Sequence, residues 1–208
     1  MKLKDVVSGK IRSEHVTSKH YGIPRSGYKL TFHVHEYKNK ILHSQYLTIE
    51  STCNFGFDSI AEVSLEIGGK IIETHSGQLL KYLSRNNKDL STDPNKFIVP
   101  LHFFYCKTPL ILAALKYHEV RVLVELNKFQ PGCEITSLNL DSIMVIPERI
   151  RCPLRTVIEI ITAEYPENRY NDIIVADNKV YYLVNKTITY EEGCFTVLGH
   201  TLFVDFTK

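Results

Sequence analysis

The chain has 208 residues, of which 44% are hydrophobic, 23% charged and 11% aromatic, with no Trp. That length accommodates one large all-β domain or two small ones, and it can bury a core without disulfide staples. The ordinary charged fraction excludes a disordered chain, and 25 basic against 23 acidic residues exclude nucleic-acid binding through global charge, leaving local basic patches open.

The first ten residues alternate Lys with apolar residues but hold no apolar signal core, so they read as a mature cytosolic start. Residues 1–50 carry nine Lys/Arg and four Asp/Glu, whereas 155–208 carry five and eight. We therefore read residues 1–25 as a basic arm of the kind that meets an acidic partner surface, with 26–208 as the folded domain. The longest apolar runs, such as Pro109 to Leu115, fall far short of the ~20 residues of a membrane span.

Period two then dominates. Tyr28, Leu30, Phe32 and Val34 alternate with Lys29, Thr31, His33 and His35, which is the pattern of a half-buried strand. Tyr37 to Lys40 reads as a turn, and a second strand spans Ile41 to Glu50. Ala61 to Ile67 and Lys70 to Thr74 flank Gly68-Gly69, whose freedom at positive φ suits a tight hairpin. Leu79, Leu80 and Leu83 sit at helical spacing behind Ser76, a good N-cap, so the spacing predicts a short helix over Ser76 to Arg85. Asn86 to Asn95 is a polar loop. Pro100, inside the aromatic run Phe97 to Cys106, belongs at a strand start or a bulge. Pro109 to Lys116 reads as a second short helix.

His118 to Leu126 and Thr136 to Ile146 alternate as strands, with Pro131-Gly132 turning between them, and Pro147 to Pro153 reads as a charged connection. Arg155 to Ala163, Ile173 to Val175, Val180 to Val184, Thr187 to Tyr190, Phe195 to Leu198 and Thr201 to Phe206 are the last strands. Many short strands with turn signals between them predict an all-β sandwich, a single eight-stranded jelly roll of two four-stranded sheets with short helices in loops.

Chemical constellations are thin. His33 and His35 share one strand face and could reach one metal ion with His43, but they lie opposite the apolar residues and read as surface histidines. Cys53, Cys106, Cys133, Cys152 and Cys194 form no CxxC pair and read as buried or idle thiols of a reducing compartment. Cys106 near His102 or His118 lacks an orienting third group and reads as a core thiol. Glu66, Glu73, Asp141 and Glu148 are candidates for paired carboxylates, yet acids on exposed strand faces are common. Gly68-Gly69 lacks the frame of a phosphate loop. Twelve tyrosines cluster only at Tyr181-Tyr182, which favours packing over a stacking groove. The Asn185-Lys186-Thr187 sequon reads as chance. Nothing converges into a catalytic group, so the expectation is a protein that is no enzyme, needs no cofactor and works through its surface.

One resemblance is specific. The block Val63-Ser-Leu-Glu-Ile-Gly-Gly-Lys-Ile-Ile-Glu-Thr-His-Ser-Gly-Gln-Leu-Leu80 resembles a hairpin-plus-helix block of the major capsid proteins of large nucleocytoplasmic DNA viruses, such as iridovirus and phycodnavirus coat proteins. Val99 to Lys107 and Leu112 to Val122 look like that family's next blocks, in the same order and spacing. Tyr28 to Glu50 and Leu140 to Arg151 are similar more loosely, so the likeness covers about residues 28–153. The family's Asn-Pro-Gly type connection is replaced here by Thr108-Pro109-Leu110.

The resemblance implies a structural capsid protein in the virion, assembled in the host cytoplasm. It implies as partners further copies, other capsid proteins and the inner membrane surface, with no direct nucleic-acid contact. The family's coat proteins carry two rolls in tandem, and this chain has room for one, with residues 155–208 expected to complete it. A single roll fits a five-fold vertex as a homopentamer, the penton position. A minor or lattice capsid protein and a jelly-roll carbohydrate-binding module are the alternatives. Lys2, Lys4, Lys10 and Arg12 are the expected assembly contacts of the arm.

Overall fold

The computed structural model describes residues 7–24, 27–34, 40–85, 95–106, 109–115, 118–129 and 131–150, together with the backbone of five strands between 155 and 203. Ten strands precede or open that last region. They are β1 (Val7–Lys19), β2 (Lys29–His33), β3 (Ile41–Ser51), β4 (Ile60–Ile67), β5 (Lys70–Ser76), β6 (Lys96–Leu101), β7 (Leu110–Ile111), β8 (Val120–Leu126), β9 (Ile135–Ile150) and β10 (Arg155–Glu164). Helix α1 (Gly77–Ser84) joins β5 to β6. The Ser76 hydroxyl accepts from the Leu79 amide at 3.2 Å, which is the expected N-cap.

One antiparallel sheet has the order β1-β9-β3-β6, with the two-residue β7 also on β3, and the second has the order β2-β8-β4-β5. Successive strands cross between the sheets, β1 to β2 to β3 to β4, then back from β5 to β6 and from β8 to β9. This is the eight-stranded jelly roll expected, wound from residues 7–150.

The alternation that marks each strand also fills the core. Leu30 and Phe32 of β2, Leu47 and Ile49 of β3, Val63 and Leu65 of β4, and Val122 and Val124 of β8 are wholly buried between the sheets. Each such side chain stabilises the roll by about 1.5–3 kcal/mol relative to an exposed one. The core also carries polar groups, most of them hydrogen-bonded, with the buried His75 Nδ1 left without a partner among the described residues. The Tyr105 hydroxyl donates to Gln45 Oε1 at 2.5 Å, and Gln45 Nε2 donates to the Ser142 hydroxyl at 2.8 Å. Glu73 accepts from the Phe104 amide and pairs with His75, both at 2.9 Å. The cost of burying Gln45, Tyr105, Ser142 and Glu73 is offset because hydrogen-bond partners for them are supplied inside the roll.

The structure departs from the expected elements at four places. Val7–Lys19, inside the segment read as an arm, is a thirteen-residue strand paired with β9. Its sequence signal is weak because it is an edge strand, exposed along the face of Gly9, Ile11, Ser13, His15 and Thr17 and only part-buried on the other. Tyr28 precedes β2 and is 61% exposed rather than inward, since Gly27 (φ +76°) turns the chain there and its amide donates to Leu126 O. Pro109 to Lys116 is no α-helix: β7 pairs with Ile41 and Leu42, and Leu112–Leu115 closes as a single 3-10 turn. The connection expected from Pro147 belongs instead to β9, which runs on to Ile150 against β1.

Residues expected to complete the roll also do otherwise. Strands β10, β11 (Asp172–Ala176), β12 (Lys179–Glu191), β13 (Cys194–Val197) and β14 (His200–Phe203) form a third antiparallel sheet, ordered β10-β12-β13-β14 with β11 on β12. With β1 already flanking β9, the roll has all eight strands without them.

Candidate functional site

The connections β1–β2, β3–β4, α1 with its flanks, and β8–β9 gather at one end of the roll. There Cys53 and Cys133 are joined by a disulfide, with Cα atoms 5.4 Å apart and 80 residues between them in sequence. This corrects the expectation of idle thiols. Nothing in sequence spacing joins two cysteines so far apart; β3 and β9, adjacent in the sheet, bring their ends together. Phe55 packs against Phe97 and Phe129, and Phe57 against Phe97, with ring centroids 5.0 to 6.1 Å apart.

An open groove of 420 Å³ lies next to these rings, between Asp58, Gln78 and Asn127. Gln78 Nε2 donates to Asp58 Oδ1 at 2.5 Å, and Asn127 Nδ2 donates to Asp58 O at 2.9 Å. Gly77 belongs there because a Cβ at that position would collide with the carbonyl oxygens of Phe57 and Ile60. Tyr21 and Ile23, in the β1–β2 connection, are 64% and 61% exposed.

A second polar constellation lies on the outer face of the sheet led by β1. Asp141, at the middle of β9, is 7% exposed. It accepts from Thr17 Oγ1 of β1 at 2.5 Å and from Thr48 Oγ1 of β3 at 2.6 Å. His15 Nε2 lies 2.5 Å from the Tyr46 hydroxyl and 3.7 Å from Asp141 Oδ1. Partial burial, together with the Asp141 charge, holds the Tyr46 phenol above its ordinary range. The cluster staples three neighbouring strands. It offers no open position for a reacting group, since both carboxylate oxygens are already engaged.

The remaining candidates disperse. Lys2 and Lys4 lie outside the described residues. Lys10 and Arg12 are exposed on β1, where Arg12 is opposite Ile146 and the Lys10 amide donates to Glu148 Oε2 at 3.1 Å. Glu66 pairs with Arg121 at 3.3 Å, so Glu66, Glu73, Asp141 and Glu148 each have separate partners and none pairs with another. His33 packs edge-on against Tyr21 and His43 is exposed, while His35 lies outside the described residues. No group of three or more His, Cys, Asp or Glu is placed to hold a metal ion among the described residues. Cys106 is exposed rather than in the core, and its thiol donates to Leu101 O at 2.9 Å. Tyr181 and Tyr182 are consecutive residues of β12 in the third sheet.

Residues 29–152 match the family described as major capsid protein N-terminus. The chain belongs to this family. Solved structures agree on the fold. PBCV-1 VP54, from a structure fitted into a reconstruction of the virophage Sputnik, superposes with a TM-score of 0.59 at 18% identity, over 74% of this chain and 48% of that one. The PBCV-1 virus capsid gives 0.59 at 18% identity, over 77% and 50%. The STIV MCP gives 0.54 at 13% identity, over 80% and 62%. The chain thus spans about half the length of the PBCV-1 chains it matches. No curated protein matches it in sequence. The family match begins at residue 29, so β1 lies outside it although it completes the roll.

Proposed function

We propose that the chain is a structural subunit of an icosahedral virus shell, working by assembly and not by catalysis. The observation that carries this reading is a complete eight-stranded roll, in the strand order β1-β9-β3-β6 over β2-β8-β4-β5, within a capsid family. A roll that buries its own core presents a rigid body whose outer faces and end loops are free to meet neighbours.

The finer reading is a homopentameric subunit at a five-fold vertex of a double-stranded DNA virus. It is supported by the described strands after the roll, which pair only among themselves in a flat order and do not repeat the roll's winding. A subunit built on one roll would suit closed five-fold symmetry. In this reading the basic segment 1–25 contributes Lys2, Lys4, Lys10 and Arg12 to contacts with neighbours or an inner membrane surface, and the protein resides in the virion after assembly in the host cytoplasm. A reconstruction of the assembled particle tests it. Density for this chain at the vertices is expected; a stable trimer at every lattice position overturns the vertex assignment.

A further inference from the structure

Two connections at one end of the roll are tied to each other at several points. Residues 52–59 link β3 to β4, and residues 127–134 link β8 to β9. At the start of the first, the Thr52 amide donates to Glu134 O at 2.9 Å, and the Glu134 amide donates to Thr52 Oγ1 at 3.0 Å. Ser51, still opposite Ile135 in the ladder, donates from its hydroxyl to Cys53 O at 2.6 Å. Further along, the Phe55 and Phe129 ring centroids are 5.8 Å apart. The Asn127 amide donates to Ser59 O and Asn127 Nδ2 to Asp58 O, both at 2.9 Å. The Cys53–Cys133 disulfide joins this series as a tie that exists only when oxidised.

Two features distinguish this crosslink from a buried staple. The first is access. Cys53 and Cys133 are half-buried, and their neighbours Thr52, Asn54, Gly132 and Glu134 are exposed, so a small thiol or disulfide can reach the sulfurs. The second is preorganisation. The Thr52–Glu134 and Ser51–Cys53 bonds involve backbone and hydroxyl groups alone, so they hold the two cysteines across from each other with or without the sulfur–sulfur bond. The apolar side chains that fill the roll, such as Leu30, Phe32, Leu65 and Val124, pack among themselves and do not depend on the crosslink. Yet closing it encloses 80 residues of chain, with β4, β5 and β8 of the second sheet inside the loop.

We propose that Cys53 and Cys133 are a redox-operated lock on these two connections, switched on the folded roll. To close it, the thiolate of one cysteine attacks a small disulfide of the glutathione class, forming a mixed disulfide and releasing one small thiol. The thiolate of the other cysteine attacks the protein sulfur of that mixed disulfide and releases the second small thiol. The two protein thiols give up two electrons and two protons, which leave on the two small thiols. Opening is the reverse exchange, driven by excess small thiol. With the lock open, the connections keep their other ties but open locally more often; with it closed, they are rigid. The order of events rests on the shell-subunit reading: open in the reducing cytoplasm, where neighbours are fitted, and closed in the oxidising medium outside the cell.

The test equilibrates the full chain in glutathione buffers of graded thiol-to-disulfide ratio. Alkylation and peptide mass mapping then separate Cys53 and Cys133 from the other three cysteines. The circular dichroism of the two states should agree, and the disulfide should be favoured at least about tenfold more strongly in the folded chain than in urea. Reduction should speed amide hydrogen exchange in residues 52–59 and 127–134 by at least about tenfold and leave the β4–β5 hairpin unchanged. The double variant Cys53→Ser, Cys133→Ser should exchange like the reduced chain in every buffer; if it fails to fold, the two wild-type states still give the comparison. A disulfide that glutathione reduces only after denaturation, a reduced chain that loses its fold, or connections that exchange equally in both states would overturn the lock. For the order of events, infected cells are alkylated before lysis. Thiols in cell-associated chain and a disulfide in released particles are expected, and the same state in both overturns that order. A chain that switches in glutathione but is absent from particles removes the shell reading and keeps the lock.

Discussion

Asp141 shows how much a single side chain does on a face that looks merely polar. It takes hydroxyl bonds from the strands on either side of it, so Asp141→Ala would leave the Thr17 and Thr48 donors without their acceptor. Thr48 is 7% exposed and cannot recover water freely, so the expected loss is about 1–3 kcal/mol in a denaturant titration. Gly77 is constrained differently. Gly77→Ala sets a methyl group against the Phe57 and Ile60 carbonyls, and the backbone shift it forces should cost about 1–3 kcal/mol, read as a lower midpoint in the same titration.

Tyr105 gives the roll a pH dependence. Complete burial is the main reason its phenol is held well above 10.0, with Cys106 and Glu73 adding to the effect. In the unfolded chain the phenol ionises near ~10, so above that pH the folded state binds more protons than the unfolded one. The Tyr105 contribution is therefore fully present below about pH 10 and is lost as pH rises beyond it. Melting curves between neutral and strongly alkaline pH should show this fall, and it should be shallower in Tyr105→Phe. An equal alkaline fall in both proteins would count against this assignment.

At the scale of elements, β1 changes what truncation should do. Removing residues 1–6 leaves every described pair of the roll in place, whereas removing 1–12 deletes the pairs from Val7–Ile150 to Arg12–Ile146 and takes Val7 out of the core. The shorter truncation should melt like wild type and the longer one clearly lower. The Cys53–Cys133 crosslink ties the ends of β3 and β9 across a separation of 80 residues. Replacing both with Ser should cost about 2–4 kcal/mol under oxidising conditions and little under reduction.

These elements also show what the sequence discloses. The β4–β5 hairpin and α1 are legible because Gly68-Gly69, the Ser76 cap and the leucine spacing are local signals. The end of β9 and the short β7 are not, because both depend on a strand arriving from elsewhere: Pro147 is tolerated opposite Ile11 at an unflanked edge, and Leu110 is a strand residue only beside Leu42. The Asp141 cluster and the disulfide are invisible for the same reason, since their members lie between 31 and 124 residues apart.

At the scale of the molecule, the roll and the third sheet are separate pairing units. The roll is finished by residue 150, and the described strands after it pair only among themselves. Native mass spectrometry of the purified full chain tests this account most directly. The account predicts a closed species of five chain masses; a species that stays at one chain mass at every concentration would contradict it.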